Sequence, residues 1–324
     1  MTVISRPSDV TVVPARKAGG DDGVPRDAKG RPRIWVPCAD CETLGKIPSP
    51  KTGKPIKCPK CSGEGRKLRS YTRTTTYIDV LDDKTNLQAW QMRMVLLGVS
   101  RDASLLKGLD VLDASRDDKA AKDELNRRAQ VAKTVAGAED KADKGTFLHE
   151  LSELKDLGKD LPSNISFEDV LDLDAYTRIA AGFDIIHMES LVVHDGLQIG
   201  GTPDRVSRWV GEGDLIPPDG VPIERDELLI TDLKTGTVEY GALKMAMQLS
   251  LYSRSKLYDA DTGERSSIGK VNQKWGVIMN VPAGSGEGSL YWADLEMGWA
   301  AVEVAGMVRD LRSRGRKSLH AFSE

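Results

Sequence analysis

The sequence predicts a mixed α/β domain preceded by a small cysteine module, and three observations carry that expectation. From Lys144 onward, segments of strand character alternate with segments of helical period. All four cysteines fall between residues 38 and 61, ahead of that pattern. A chain of 324 residues, 40% apolar and 29% charged, is long enough for one large core and a small module beside it.

Residues 1–33 are rich in Gly, Pro, Asp and Arg, including Gly19-Gly-Asp-Asp-Gly23, and are expected to form a flexible arm. Residues 34–70 hold the cysteine module and 71–324 the main domain. Tyr71-Thr-Arg-Thr-Thr-Thr-Tyr-Ile-Asp79 is rich in β-branched and aromatic side chains and reads as strand; Leu87 to Val99 has the period of a buried helix. Between about Asp102 and Lys144, Leu105, Leu106, Leu109 and Leu112 recur among Ala, Asp and Lys, which predicts amphipathic helices outside the core, with Arg127 and Arg128 facing solvent or DNA. The expected order is then helix 146–157, strands 189–194, 197–209 and 227–233, helix 241–258, strands 274–281 and 289–294, and helix 296–313. Loop 211–226, carrying Gly211, Gly213, Pro217, Pro218, Gly220 and Pro222, reads as a surface insertion. No internal repeat is evident.

No apolar run approaches the roughly 20 residues that span a bilayer, so no membrane partner is expected. Met1-Thr-Val-Ile-Ser-Arg-Pro7 lacks the apolar stretch of a signal peptide, and the expected compartment is the cytoplasm. The net charge of −3 hides an asymmetry: residues 1–73 hold 16 Lys and Arg against 7 Asp and Glu, a net +9, and residues 74–324 hold 30 against 42, a net −12. A basic front attracts a phosphate backbone through counterion release, and carboxylates in the acidic remainder suit a divalent cation. The front therefore reads as a DNA-holding element, the alternative being a solvated basic arm without a partner.

Cys38-Ala-Asp-Cys41 and Cys58-Pro-Lys-Cys61 are two Cys-x-x-Cys pairs with 16 residues between them. Each pair on a tight turn aims two thiolates at one ion, and two pairs complete a tetrahedral zinc site with no open position, which makes it structural. Cys58-Pro-Lys-Cys-Ser-Gly-Glu-Gly65 resembles the knuckles of DnaJ-type zinc domains, with one complete copy of the longer pattern. A [4Fe-4S] cluster is the competing occupant; paired disulfides fit a cytoplasmic chain poorly.

The residues with catalytic character lie further on. Lys144-Gly-Thr-Phe-Leu-His-Glu-Leu-Ser-Glu153 places His149 and Glu153 on one helical face, with Thr146 as the expected N-cap. Asp204 lies in Gly200-Gly-Thr-Pro-Asp-Arg205, and Asp232 and Lys234 end the run Glu227-Leu-Leu-Ile-Thr-Asp-Leu-Lys-Thr-Gly236. Strand alternation puts Asp232 and Lys234 on one face and turns Leu233 into the core. Gln248 and Tyr252 share a helical face in Met245-Ala-Met-Gln-Leu-Ser-Leu-Tyr252. Taken singly, Asp232 and Lys234 read as a strand-end ion pair, His149 as a buried histidine, and Gln248 with Tyr252 as a helix interface. Their joint occurrence favours a site.

In this order, Gly-x-x-x-His-x-x-x-Glu, Gly-x-x-Asp, Asp-x-Lys and Gln-x-x-x-Tyr resemble the RecB-like branch of the PD-(D/E)xK nucleases, especially phage exonucleases related to CRISPR-associated adaptation nucleases, over about residues 72–312. The resemblance implies a restriction-endonuclease-like mixed central sheet flanked by helices. It also implies a Mg²⁺- or Mn²⁺-dependent deoxyribonuclease, an exonuclease of recombination, repair or phage replication in the host cytoplasm. Asp204, Asp232, the Leu233 carbonyl and His149 would hold the metal, with Glu153 beside them. Lys234 would position or deprotonate the attacking water, and Gln248 and Tyr252 would orient the substrate strand or Lys234. DNA is the expected partner, with a recombinase, helicase or single-strand-binding protein as further ones. The competing reading is a non-catalytic DNA-binding or recombination adaptor that uses the zinc module. Trp35, Trp90, Trp209, Trp275, Trp292 and Trp299 read as core or interface, with stacking on a base the alternative for Trp35 beside the zinc knuckle, and His187, His194 and His320 fall in no motif.

Overall fold

The computed structural model describes residues 24–315 and 317–320. Most of the expected N-terminal arm, residues 1–23, lies outside them. In chain order the elements are β1 (Arg33–Pro37), β2 (Lys46–Pro48), β3 (Pro55–Lys57), β4 (Arg66–Ser70), β5 (Thr72–Arg73), α1 (Thr74–Ile78) and α2 (Thr85–Arg101). Then come α3 (Leu109–Ala114), α4 (Lys119–Val135), α5 (Asp140–Asp156), α6 (Phe167–Ala180), β6 (Phe183–Met188), β7 (Val192–His194), β8 (Ile199–Gly201) and β9 (Arg205–Trp209). The chain continues with β10 (Leu228–Lys234), α7 (Ala242–Ser253), β11 (Lys256–Tyr258), β12 (Arg265–Ser266), β13 (Trp275–Asn280), β14 (Ser289–Asp294) and α8 (Leu295–Gly315).

The fold is mixed α/β and divides into two compact units. The first takes in the chain up to Leu81, Tyr176–Asn280 and the chain from Gly288; the second holds Asp82–Ala175 and Val281–Glu287.

Two mixed sheets build the first unit. One has the order β14-β13-β10-β9-β6, with β10 and β13 parallel and the other neighbours antiparallel. The other has the order β12-β11-β7-β8-β5, in which only β5 and β8 run parallel. Strand β10 is central and buried on both faces, which explains its nearly continuous apolar sequence. Its Leu228 and Ile230 pack with Val206, Ile278 and Ala293 against Met245, Leu249 and Tyr252 of α7. Each such fully buried aliphatic side chain contributes roughly 1.5–3 kcal/mol. Met247 and Leu251, on the other side of α7, meet Tyr77 and Ile78 of α1 and Val302 and Ala305 of α8.

Three segments of this unit differ from the periodicity reading. The strand expected over 197–209 is two strands, β8 and β9, that belong to different sheets. Pro203 between them has no N–H to give a ladder, so the chain changes sheet there. Helix α7 stops at Ser253 rather than at 258: the Ser253 and Ser255 hydroxyls donate to the carbonyls of Ser250 (2.9 Å) and Leu251 (2.6 Å), and Lys256–Tyr258 pairs with β7. Only Thr72 and Arg73 of the β-prone run are strand; Thr74–Ile78 is helix, burying Tyr77 and Ile78 in the α7–α8 core, where packing outweighs β-propensity. At the end of the arm, Val24 is buried and Asp27 and Arg31 pair across a turn at 2.7 Å, so residues 24–33 are ordered.

Helices α2 to α5 and the start of α6 make up the second unit. Helix α2 corrects an expectation: Leu87, Trp90, Met92, Leu96 and Leu97 are exposed and only Gly98 is buried. Its apolar side chains run around the helix, and packing on α4 covers a single stripe. Thr146 is not an N-cap, because α5 begins at Asp140 and runs through Gly145, a mid-helix glycine being tolerated at about 1 kcal/mol. Arg127 and Arg128 both pair with Glu124, at 2.7 and 2.9 Å, and Arg128 also donates to the Leu105 carbonyl at 3.0 Å. Arg128 thereby ties α4 to the turn at Leu105, while Arg127 pairs within its own helix and stays exposed. Asp172 of α6 accepts the N–H groups of Gly284 (2.6 Å) and Gly286 (2.8 Å). No helix among the described residues is long and apolar enough to cross a membrane.

Candidate functional site

The first sheet ends in a cluster of acidic groups. Strand β9 pairs with β10 from Arg208↔Leu228 to Arg205↔Thr231, and one further step of the same register sets Asp204 opposite Asp232. The ladder has ended there, and the Asp204 carboxylate accepts the Leu233 N–H at 3.0 Å in place of a backbone carbonyl. Asp232 and Lys234 lie on the β10 face that carries Leu228 and Ile230, the face covered by α7. The Lys234 ammonium contacts the Asp232 carboxylate. Asn280, beside Lys234 in the parallel β10–β13 register, donates to the carbonyls of Lys234 (2.8 Å) and Gly236 (2.9 Å) and fixes the chain as it leaves the strand.

Electrostatics sets the two strand-end groups apart. Asp232 is 1% exposed, and no hydrogen-bond donor reaches its Oδ1 among the described residues. Burial first, and the Asp204 charge second, push its carboxyl up to about 7, against the opposing pull of Lys234 and Arg205. Burial pulls the Lys234 ammonium down, but Asp232 and Asp204 outweigh it and hold the group above its ordinary value, firmly protonated. Arg205 is buried with its guanidinium 5.0 Å over the Tyr176 ring.

Helix α7 supplies the wall facing these groups. Gln248 Nε2 lies 3.4 Å from the Tyr252 hydroxyl, and burial raises the Tyr252 phenol well above its usual range. Both side chains line a cavity of about 140 Å³ with Arg26, Arg73, Thr74 and the Gly200–Gly201 backbone. Gly201 is required by close approach: a Cβ there would lie 2.4 Å from Thr74 Oγ1 and 2.8 Å from the Tyr252 ring.

The cysteine module is a second centre. All four Sγ atoms lie within 4.8 Å of one another, with Cys38 and Cys58 at 3.9 Å and Cys41 and Cys61 at 3.7 Å. Tetrahedral zinc with sulfur at about 2.3 Å requires sulfur–sulfur separations of about 3.8 Å, so the donor set fits a closed zinc site. Burial pushes the Cys38 and Cys41 thiols up. Burial does the same to Cys61, but the N–H groups of Gly65 and Gly63 reverse it; Gly65 N–H donates to Cys61 Sγ at 3.3 Å.

The module also contains a repeat that periodicity did not reveal. Residues 38–47 and 58–67 follow the same path twenty positions apart: Cys38 N–H donates to the Gly65 carbonyl and Cys58 N–H to the Gly45 carbonyl, both at 2.9 Å. Gly45 and Gly65 share φ near +70° (+69° and +73°), which is why both copies need glycine although Thr43 stands where Gly63 does in the second. Trp35, at the base, has the Arg66 guanidinium 4.5 Å over its ring, which occupies one of the faces a base would stack on.

Asp204, Asp232, Lys234, Gln248 and Tyr252 thus belong to the first unit; His149 and Glu153 lie on α5 in the second. His194 accepts the Leu197 N–H at 3.1 Å and packs on Trp299, a turn-forming role. Sequence reasoning missed Glu189 and Asn280. Extending the β6–β9 register one step beyond Met188↔Arg205 puts Glu189 level with Asp204, whose carbonyl accepts the Glu189 N–H at 3.1 Å. Three acidic residues therefore stand at one level across the ends of β6, β9 and β10. The signal available was an acid closing an apolar run, Phe183-Asp-Ile-Ile-His-Met-Glu189, obscured because that run reads as loop followed by strand. No family model and no curated protein matches this chain.

Proposed function

We propose that the chain is a metal-dependent DNA nuclease of the RecB-like PD-(D/E)xK type, with a restriction-endonuclease-like core, acting as an exonuclease. One observation carries the reading: one register step past the end of the β9–β10 ladder Asp204 stands opposite Asp232, beside Lys234, and buried Asp232 keeps an oxygen without a donor among the described residues. A buried carboxylate with an open oxygen and a second carboxylate opposite it is a place for a cation.

Asp204, Asp232 and the Leu233 carbonyl would hold Mg²⁺ or Mn²⁺, which supplies positive charge against the scissile phosphate and activates a water. Asp204 is oriented for this by the Leu233 N–H, which holds one of its oxygens. Lys234, whose ammonium Asp232 and Asp204 stabilise, would position the water and offset charge gathering on the phosphate. Gln248 and Tyr252, with Arg26 and Arg73 on the same cavity wall, orient the strand. Glu189 is a further acidic group at the same level of the sheet.

The test incubates purified protein with Mg²⁺ or Mn²⁺ and either end-labelled linear DNA or closed circles. Loss of the linear substrate alone is the expected result, and nicking of circles would make it an endonuclease. Cleavage that persists in both Asp232→Ala and Lys234→Ala would overturn the site.

A further inference from the structure

We infer that the β2–β3 ribbon of the cysteine module is a clamp for the phosphate backbone of DNA. Residues 46–60 contain five lysines and no acidic residue. Lys46 and Lys57 are direct partners in the antiparallel β2–β3 pair. Such partners have Cβ atoms roughly 4.5–5.5 Å apart on one face, where like charges destabilise the pair. Lys51 and Lys54 follow at the hairpin tip, closed by Ser49 N–H to the Lys54 carbonyl at 2.9 Å, and Lys60 lies in the second knuckle. All five are exposed, and none has a carboxylate partner among the described residues. Lys67 shows the contrast, pairing with Asp40 at 3.6 Å.

A repulsive pair on a two-stranded ribbon persists because the ribbon is rooted. Ile47 packs on the four cysteines, so the cysteine cluster holds the strand that carries Lys46. Within the first unit the module is fastened to the chain around β11 by Trp35 N–H donating to the Tyr258 hydroxyl at 2.9 Å and by Arg66 donating to the Thr262 carbonyl. A polyanion relieves the repulsion and gains from lysines already held in place. Lysine is a compact point charge, and the ribbon carries no aromatic residue, so it reads phosphate and not bases. That the polyanion is DNA rests on the nuclease reading; that the ribbon binds a phosphate backbone does not.

The test compares the full-length chain with the combined variant Lys46→Gln, Lys51→Gln, Lys54→Gln and Lys57→Gln. Binding of fluorescein-labelled single-stranded and duplex DNA is followed by anisotropy over a salt series, with Ca²⁺ replacing Mg²⁺ and Mn²⁺. The expected result is a loss of about tenfold or more at low salt and a fall of about 3 to 4 in the slope of log affinity against log salt. Zinc content should stay at the wild-type value and the melting temperature should not fall, since the substitutions remove the Lys46–Lys57 repulsion, showing that the ribbon is intact. An unchanged slope and affinity would overturn the clamp, as would equal loss of binding to polyglutamate. Hydrolysis of the p-nitrophenyl ester of thymidine 5′-phosphate, too small to reach a phosphate clamp, separates the two ideas. Lysine-dependent DNA binding without ester hydrolysis in either protein leaves the clamp and removes the nuclease; ester hydrolysis with unchanged DNA binding does the reverse.

Discussion

Asp204 stands opposite Asp232 one step beyond the end of the β9–β10 ladder, and its carboxylate holds the N–H of Leu233, the residue next to Asp232, at 3.0 Å. A backbone donor thereby orients one carboxylate, and burial takes the other out of water.

Burial of Asp232, with the Asp204 charge beside it, makes stability depend on pH. The Asp232 carboxyl stands near 7 in the folded chain against an ordinary value of 3.8. Between those values the folded chain keeps a proton that the unfolded chain has lost, so its stabilisation is complete below the ordinary value and disappears as pH rises through about 7. In metal-free protein this group should lower the melting temperature progressively from about pH 4 to about pH 7, and Asp232→Asn should flatten that fall. Mn²⁺ added at the higher pH should raise the wild-type melting temperature and leave the variant unmoved. An equal pH profile in both proteins would refute the assignment.

Asn280 offers a test away from the carboxylates. It is 5% exposed and its amide satisfies two carbonyls, so Asn280→Ala should destabilise the chain by about 1–3 kcal/mol, measured by urea unfolding. Because those carbonyls fix the backbone after Lys234, cleavage should fall further than the unfolded fraction explains.

Gly201 gives a steric test. A methyl group there meets Thr74 Oγ1 and the Tyr252 ring, so Gly201→Ala should displace the α7 wall and weaken DNA cleavage. The combined variant Gly201→Ala with Thr74→Ser should not recover it, since the hydroxyl remains; Gly201→Ala with Thr74→Ala should recover part.

For the cysteine module, Cys58→Ser should lower zinc content by atomic absorption from one per chain towards none and unfold the ribbon, because structural zinc supplies folding energy directly. Gly45→Ala and Gly65→Ala should have similar effects on zinc retention, since each has φ near +70° (+69° and +73°) and each approaches a backbone carbonyl of the other copy. A brown protein with iron in place of zinc would reassign the centre.

Much of this was legible locally. Two Cys-x-x-Cys pairs define their own donor set, because ligand spacing on a tight turn is a local property, and the four sulfurs do converge. Alternation along β10 places Asp232 and Lys234 together for the same reason, as does the helical spacing of Gln248 and Tyr252. What residue order alone did not contain was pairing. Whether Asp204 meets Asp232, whether Glu189 stands level with them, and whether 197–209 is one strand or two in different sheets depend on register between segments far apart in the chain. The exposure of α2 likewise depends on which helix covers it, not on its own period. Local chemistry and periodicity chose the residue types and their faces; long-range hydrogen bonding and packing, which couple residues without regard to sequence distance, decided which faces meet.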